Sequence, residues 1–151
     1  MDQGDLGLLE ESAAQQLLVS TNPARLGYTW RDGSPRVVAM WFQWTGREVV
    51  MSSPVRAPKV KVLQDRPAVA VTIDDARAFP YRELMIRGRA DVSVQDDVPE
   101  EYAEAALRYF GQEQGKAWVD GLRGNPMARI AVVPEWVGLL DFETRFPSAL
   151  A

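Results

Sequence analysis

Residues Met51 to Pro67 read MSSPVRAPKVKVLQDRP, and their reading decides the fold because one element ends and another begins inside them. The apolar run EVVM, Glu48 to Met51, has the character of a strand and breaks into Ser52 and Ser53, then a proline, then Arg56, Lys59 and Lys61. Between Ala57 and Asp65 the valines and Leu63 alternate with Lys59, Lys61 and Gln64, a pattern that a helix or a strand can carry. Pro58 suits a first helical turn, where its missing N–H is no loss, and Pro67 forbids continuation, so one short helix is expected.

Upstream, three runs read as strands: Ala24 to Trp30, Pro35 to Trp44 and Arg47 to Ser53. Gly33 and Gly46 in the short connections between these β-branched and aromatic runs predict hairpins, hence a three-stranded meander. Before them, Leu9, Ala13, Leu17 and Leu18 recur at helical spacing and Asn22-Pro23 closes the segment, which predicts an N-terminal helix over residues 8–19. Downstream, AVAVTID (Ala68 to Asp74) and ELMIRGRADVSV (Glu83 to Val94) read as neighbouring strands, the second with a bulge at Gly88. Asp97 is the expected N-cap of a helix reaching Phe110, and Gln112 to Leu122 forms a second helical piece. The last strand, Met127 to Phe142, contains Pro134, which places that residue at an edge or a bend. The elements do not alternate as βαβ units. The fold class is therefore mainly β (α+β), a six-stranded antiparallel barrel with capping helices.

The chain has 151 residues, 46% of them hydrophobic and 25% charged, which is ordinary globular usage for one domain. Residues 1–151 are read as that single domain: helix 8–19, barrel 24–142, and a surface-laid or frayed tail 143–151. The formal net charge of −4 argues against nucleic acid, since phosphate-backbone binding needs a broad basic surface. With no cysteine and no histidine, thiolate zinc sites, a Cys nucleophile, His-ligated metals and the Ser-His-Asp triad are all excluded. Catalysis would run through a cofactor or through carboxylates. The segment MDQGDLGLLEESAAQQLL has no basic region and no long apolar core, so neither a signal peptide nor a membrane span is expected and the protein is read as cytoplasmic.

Hydroxyls at a strand end, followed by cations at a helix start, can gather a phosphate, because the first helical amides carry partial positive charge. The same residues can equally be turn caps and a solvated face. The acidic pairs Asp74-Asp75 and Asp96-Asp97 flank strand ends, where Asp caps turns, so no metal site is read from them.

The order and separation of PRVVAMWF (Pro35 to Phe42), VVMSS (Val49 to Ser53), KVKVLQDRP (Lys59 to Pro67), PYRELMIRGRADV (Pro80 to Val92) and RIAVVPEWVGLLDF (Arg129 to Phe142) resemble the flavin-binding split-barrel family that includes pyridoxamine 5′-phosphate oxidase. The resemblance spans roughly residues 10–142. It implies a split β-barrel and a cofactor phosphate held by Ser52, Ser53, Arg56, Lys59 and Lys61. It also implies that Val38, Ala39, Met40 and Trp41 line the cofactor ring. Pro58 stands where the vitamin-processing oxidases carry Arg, and PYRELMIRGRA is more similar to the actinobacterial branch, many members of which use coenzyme F420 in place of FMN. The function implied is an FMN- or F420-dependent oxidoreductase acting on a small organic substrate, working as a homodimer. The alternative is a non-catalytic carrier of the same cofactors.

Overall fold

The structure is a computed structural model that describes residues 1–146; of the tail expected over 143–151, residues 147–151 lie outside the described residues. Its strands are β1 (Ala24–Thr29), β2 (Pro35–Met40), β3 (Gln43–Trp44), β4 (Val49–Pro54), β5 (Ala68–Asp75), β6 (Arg82–Gln95) and β7 (Met127–Asp141). The helices are α1 (Ser12–Leu18), α2 (Pro58–Asp65), α3 (Glu100–Phe110) and α4 (Gln112–Leu122), and a short 3-10 turn occupies Leu6–Glu10. The expected N-terminal helix is thus two pieces, parted where Glu11 adopts an extended backbone. The helix at Ala57–Asp65 forms, with Pro58 at its first position.

All strands join one antiparallel sheet in the order β2-β1-β5-β6-β7-β4-β3. Its two outermost strands, β2 and β3, are consecutive in the chain, separated only by Trp41 and Phe42. The sheet therefore curls until its edges nearly meet and forms a split barrel, which removes most of the exposed strand edge.

Seven strands stand where six were expected, because the run Pro35 to Trp44 breaks in the middle. Its first half pairs with β1 and its second with β4, so the meander becomes two hairpins on opposite margins of the sheet. The break has its own partners. Phe42 is fully buried in the core, and Arg108 of α3 donates to the Phe42 carbonyl, to the Gln43 side chain and, at 3.0 Å, to the Ser20 carbonyl. A carbonyl that would otherwise sit in a ladder is satisfied by a guanidinium instead.

The other expectations meet local corrections. Between β6 and β7 the register shifts at Arg87/Gly88, as the bulge reading requires, and a Cβ on Gly88 would stand 2.4 Å from the Val133 carbonyl oxygen. Pro134 does not interrupt β7. It lies buried opposite Gly88, beyond Val132 where the pairing with β4 ends, so its missing N–H costs little there. Pro99, rather than Asp97, occupies the N-cap of α3, while Asp97 accepts the Val98 and Gly124 amides. Asp74 pairs with Arg25 and Asp75 with Arg77.

Leu17 and Leu18 of α1 and Leu63 of α2 plug the barrel core of Leu26, Met51, Ile73, Leu84, Ile86, Ile130 and Leu139. A second, smaller core of Val98, Ala106, Val119 and Met127 lies under α3 and α4, with Trp41 and Tyr102 packed against it. The half-buried Arg129 ties α3 to the barrel through Glu101 at 2.6 Å and Glu48 at 3.0 Å. α4 lies so close to α3 that a Cβ on Gly115 would meet the Ala106 carbonyl oxygen at 2.6 Å. Backbone cannot yield cheaply, so Gly115→Ala is expected to lower stability by about 1–3 kcal/mol, the usual scale of overpacking. Urea unfolding measures this, and an unchanged midpoint would show that the two helices are not held at that distance.

Candidate functional site

A cavity of about 470 Å³ opens where β2 and β4 part company. Val38, Ala39, Met40 and Trp41 line it from β2 and the break that follows, and Ser52, Ser53 and Pro54 from the end of β4. Lys59 enters from the first turn of α2, and Tyr102, Phe110 and Trp118 enter from α3 and α4. Seven of the nine residues singled out in the sequence thus share one cavity, and its volume lies within the range of small-molecule sites.

Arg56 and Lys61 are not brought there. Arg56 is exposed in the turn before α2, and Lys61 is exposed and paired with Asp65 at 3.1 Å. The reason is helical geometry: residues two apart on a helix do not share a face, so a helix that aims Lys59 into the cavity must aim Lys61 away.

Both serine hydroxyls are buried and neither has a hydrogen-bond partner. Alternation along β4 sets Ser53 on the face that carries Met51 into the core and Ser52 on the opposite one, so the cavity takes one hydroxyl from each face of the strand. Orphaned buried hydroxyls are rare because each forfeits its bonds to water, at about 1–3 kcal/mol. Lys59 is half-buried and, among the described residues, has no carboxylate within ion-pair distance. Burial holds its ammonium below the ordinary lysine range. Two unpartnered hydroxyls and one cation without a carboxylate partner thus line the same cavity.

Sequence reasoning missed the aromatic flank. Trp41 stacks on Tyr109 with ring centres 5.2 Å apart and meets Phe110 edge-on at 4.6 Å. Phe110 in turn meets Trp118 edge-on at 6.0 Å, and the Trp118 indole N–H donates to the Tyr102 hydroxyl at 3.0 Å. A signal was present: Tyr102, Tyr109, Phe110 and Trp118 crowd two adjoining short helices. Nothing local says that these helices fold back over Trp41. Tyr81 faces Phe142 and Arg82 faces Asp141, and neither lines this cavity.

No curated protein matches the chain. Among solved structures, a conserved hypothetical protein from Mycobacterium tuberculosis superposes with a TM-score of 0.70 at 21% identity, over 87% of this chain and 84% of its own. A protein described as an F420 reductase gives a TM-score of 0.64 at 25% identity, over 82% of this chain and 94% of its own. A FAD-binding protein from Mesorhizobium loti gives 0.57 at 18% identity, over 89% and 92%. The family profile of pyridoxamine 5′-phosphate oxidase matches residues 11–141. That match runs from just before α1 to the last residue of β7 and takes in the whole sheet, so the chain belongs to the pyridoxamine 5′-phosphate oxidase family.

Proposed function

We propose that the protein is an oxidoreductase that binds FMN or coenzyme F420 in the cavity between β2 and β4 and passes hydride between that cofactor and a small organic substrate. The observation that carries this reading is the pair of orphaned hydroxyls, Ser52 and Ser53, beside the uncompensated Lys59. Flavin and deazaflavin tails both present chain hydroxyls and a phosphate, so such a tail can use one serine from each face of β4 and place its anion by Lys59. Val38 to Trp41 then lie alongside the ring, with Ala39 small enough to let it approach. When bound, the ring supplies the hydride chemistry; the chain supplies position, desolvation and a counter-charge.

The absorbance spectrum of the purified protein, followed by titration with FMN and with F420, tests the binding. Reoxidation of each reduced cofactor is then followed with a panel of quinones, nitroaromatics and enones. Faster turnover of one cofactor in the protein than in free solution is the expected result. Saturated binding without turnover across both cofactors would leave a carrier in place of an enzyme.

The binding should carry a pH signature. In the ligand-free protein the depressed pKa of Lys59 means that burying its charge costs stability at low pH, a cost relieved as pH rises through the folded value toward that of a free lysine. A bound phosphate reverses that preference by favouring the ammonium. Cofactor affinity is therefore expected to fall on the alkaline side, below 10.5, as Lys59 loses its proton, and Lys59→Arg should move the fall to higher pH. Fluorescence titration at stepped pH checks this; a flat profile would remove Lys59 from the phosphate site.

The working unit is proposed to be a homodimer. Val37 is 72% exposed on β2, and Phe110 and Trp118 are exposed at the cavity mouth, apolar surface that a second copy would cover. Light scattering is expected to give twice the chain mass at micromolar protein, and a monomer mass would contradict the assignment.

A further inference from the structure

A second cavity, of about 380 Å³, shares no lining residue with the first and lies at the other end of β7. The first takes Ser53 and Pro54, which pair with the opening residues of β7, whereas Asp141, the last residue of that strand, lines the second. Glu11 and Ser12 enter it from the junction of the 3-10 turn and α1, Arg82 from the start of β6, and Thr144 and Arg145 from the turn after β7. Ala13 and Leu139 supply its apolar wall.

Two carboxylates and two guanidiniums therefore line one cleft, and only one of each is matched. Asp141 is 5% exposed, accepts the Glu143 amide at 3.0 Å and stands 3.4 Å from Arg82, which also donates to the Gln16 side chain. Glu11 and Arg145 are left over. Both are half-buried, and among the described residues neither lies within ion-pair distance of an opposite charge, although they line the same cavity. Arg145 donates to the Met1 carbonyl at 2.7 Å, which anchors the side chain without neutralising it. Opposite charges that flank a cleft without closing on each other can be bridged by one molecule that carries both.

We propose that this cavity is a binding site for a small free α-amino acid, whose ammonium donates to Glu11 and whose carboxylate accepts from Arg145. The chemistry selects the class. A simple anion would answer Arg145 but face the carboxylates of Glu11 and Asp141, and a simple cation would face both guanidiniums. An apolar molecule would find only Ala13 and Leu139. A zwitterion with a short side chain meets both unmatched charges, and the Ser12 and Thr144 hydroxyls at the wall can serve a polar side chain. The volume is near the lower end of small-molecule sites, as a ligand of that size requires. The site is independent of the cofactor reading, since the two cavities have no wall in common.

L-Serine is the probe, compared with ethanolamine and 3-hydroxypropionate, which keep its skeleton but lack the carboxylate or the ammonium. Binding to the full chain is followed by saturation-transfer NMR titration. Serine is expected to bind in the millimolar range and about tenfold or more tighter than either fragment, because both charge-assisted contacts form in one molecule. Glu11→Gln should weaken serine about tenfold and leave 3-hydroxypropionate within about twofold, whereas Arg145→Gln should weaken serine as much and leave ethanolamine within about twofold. A merely structural role for either residue would move both fragments together. Serine should also raise the urea midpoint of the unaltered protein more than that of either variant.

Serine bound no tighter than its fragments would overturn the zwitterion assignment, and equal serine affinity in all three proteins would place the binding elsewhere. Absence of binding up to tens of millimolar would remove the site. Circular dichroism reports whether the variants fold; Glu11 has no ion pair to lose among the described residues, so Glu11→Gln decides even where Arg145→Gln disturbs the turn.

Discussion

Phe42→Ala is expected to cost about 3–5 kcal/mol of folding stability, the range measured when a large buried aromatic is truncated and the cavity cannot collapse. Phe42 is fully buried, and it sits in the break that sends one chain segment to both margins of the sheet. The ring is therefore packing and closure at once: its loss leaves a void in the barrel core and loosens the point where β2 passes to β3. Arg108, which stacks over this ring with its guanidinium 5.2 Å from the centroid and bonds the Phe42 carbonyl, would lose part of its seat as well. Urea unfolding gives the number. A loss below about 1 kcal/mol would mean that the closure does not depend on this side chain.

Lys59→Ala is expected to weaken cofactor binding by about 1.5–3 kcal/mol, roughly ten- to a hundred-and-fiftyfold, the scale of a charge-assisted hydrogen bond. The same change should leave folding stability nearly unaltered, because in the ligand-free protein the ammonium is partly desolvated without a carboxylate to repay it. That opposition separates a binding role from a structural one. An unchanged dissociation constant for both FMN and F420 would withdraw the phosphate assignment, and a large loss of stability would show that Lys59 holds the fold. Lys61→Ala serves as the comparison: exposed and paired with Asp65, it is expected to change affinity by less than about 0.5 kcal/mol.

Much of this architecture was legible because its signals are local. Period-two runs, Gly at the hairpin turns, Pro58 and Pro67 bracketing α2, and Gly88 at the bulge each report a backbone preference that neighbours in sequence can express. Where reasoning from the sequence went astray, a distant group had overridden a local preference. Pro35 to Trp44 is uniformly strand-like, and nothing local foretells the break; Arg108 of α3 and the core that buries Phe42 fix it from outside the run. Pro134, by contrast, carries a local signal for an edge or a bend and stands at both, since the β4 side of β7 is unpaired there and the register against β6 shifts beside it.

The candidate site divides along the same line. By itself the sequence nominated Ser52, Ser53, Arg56, Lys59 and Lys61 for an anion, because they lie within one strand-to-helix junction whose geometry is short-range. The structure leaves Arg56 and Lys61 out of the cavity, Lys61 because a helix cannot turn Lys59 and Lys61 to one side. Only the tertiary structure decided that both serine hydroxyls are buried without partners, that β2 lies across the gap from them, and that α3 and α4 bring Tyr102, Phe110 and Trp118 to the same cavity. Those facts depend on contacts between segments apart in the chain, and the energy that selects the helix pair's position, burial of Val98, Ala106, Val119 and Met127 beneath it, exists only once the chain has closed upon itself.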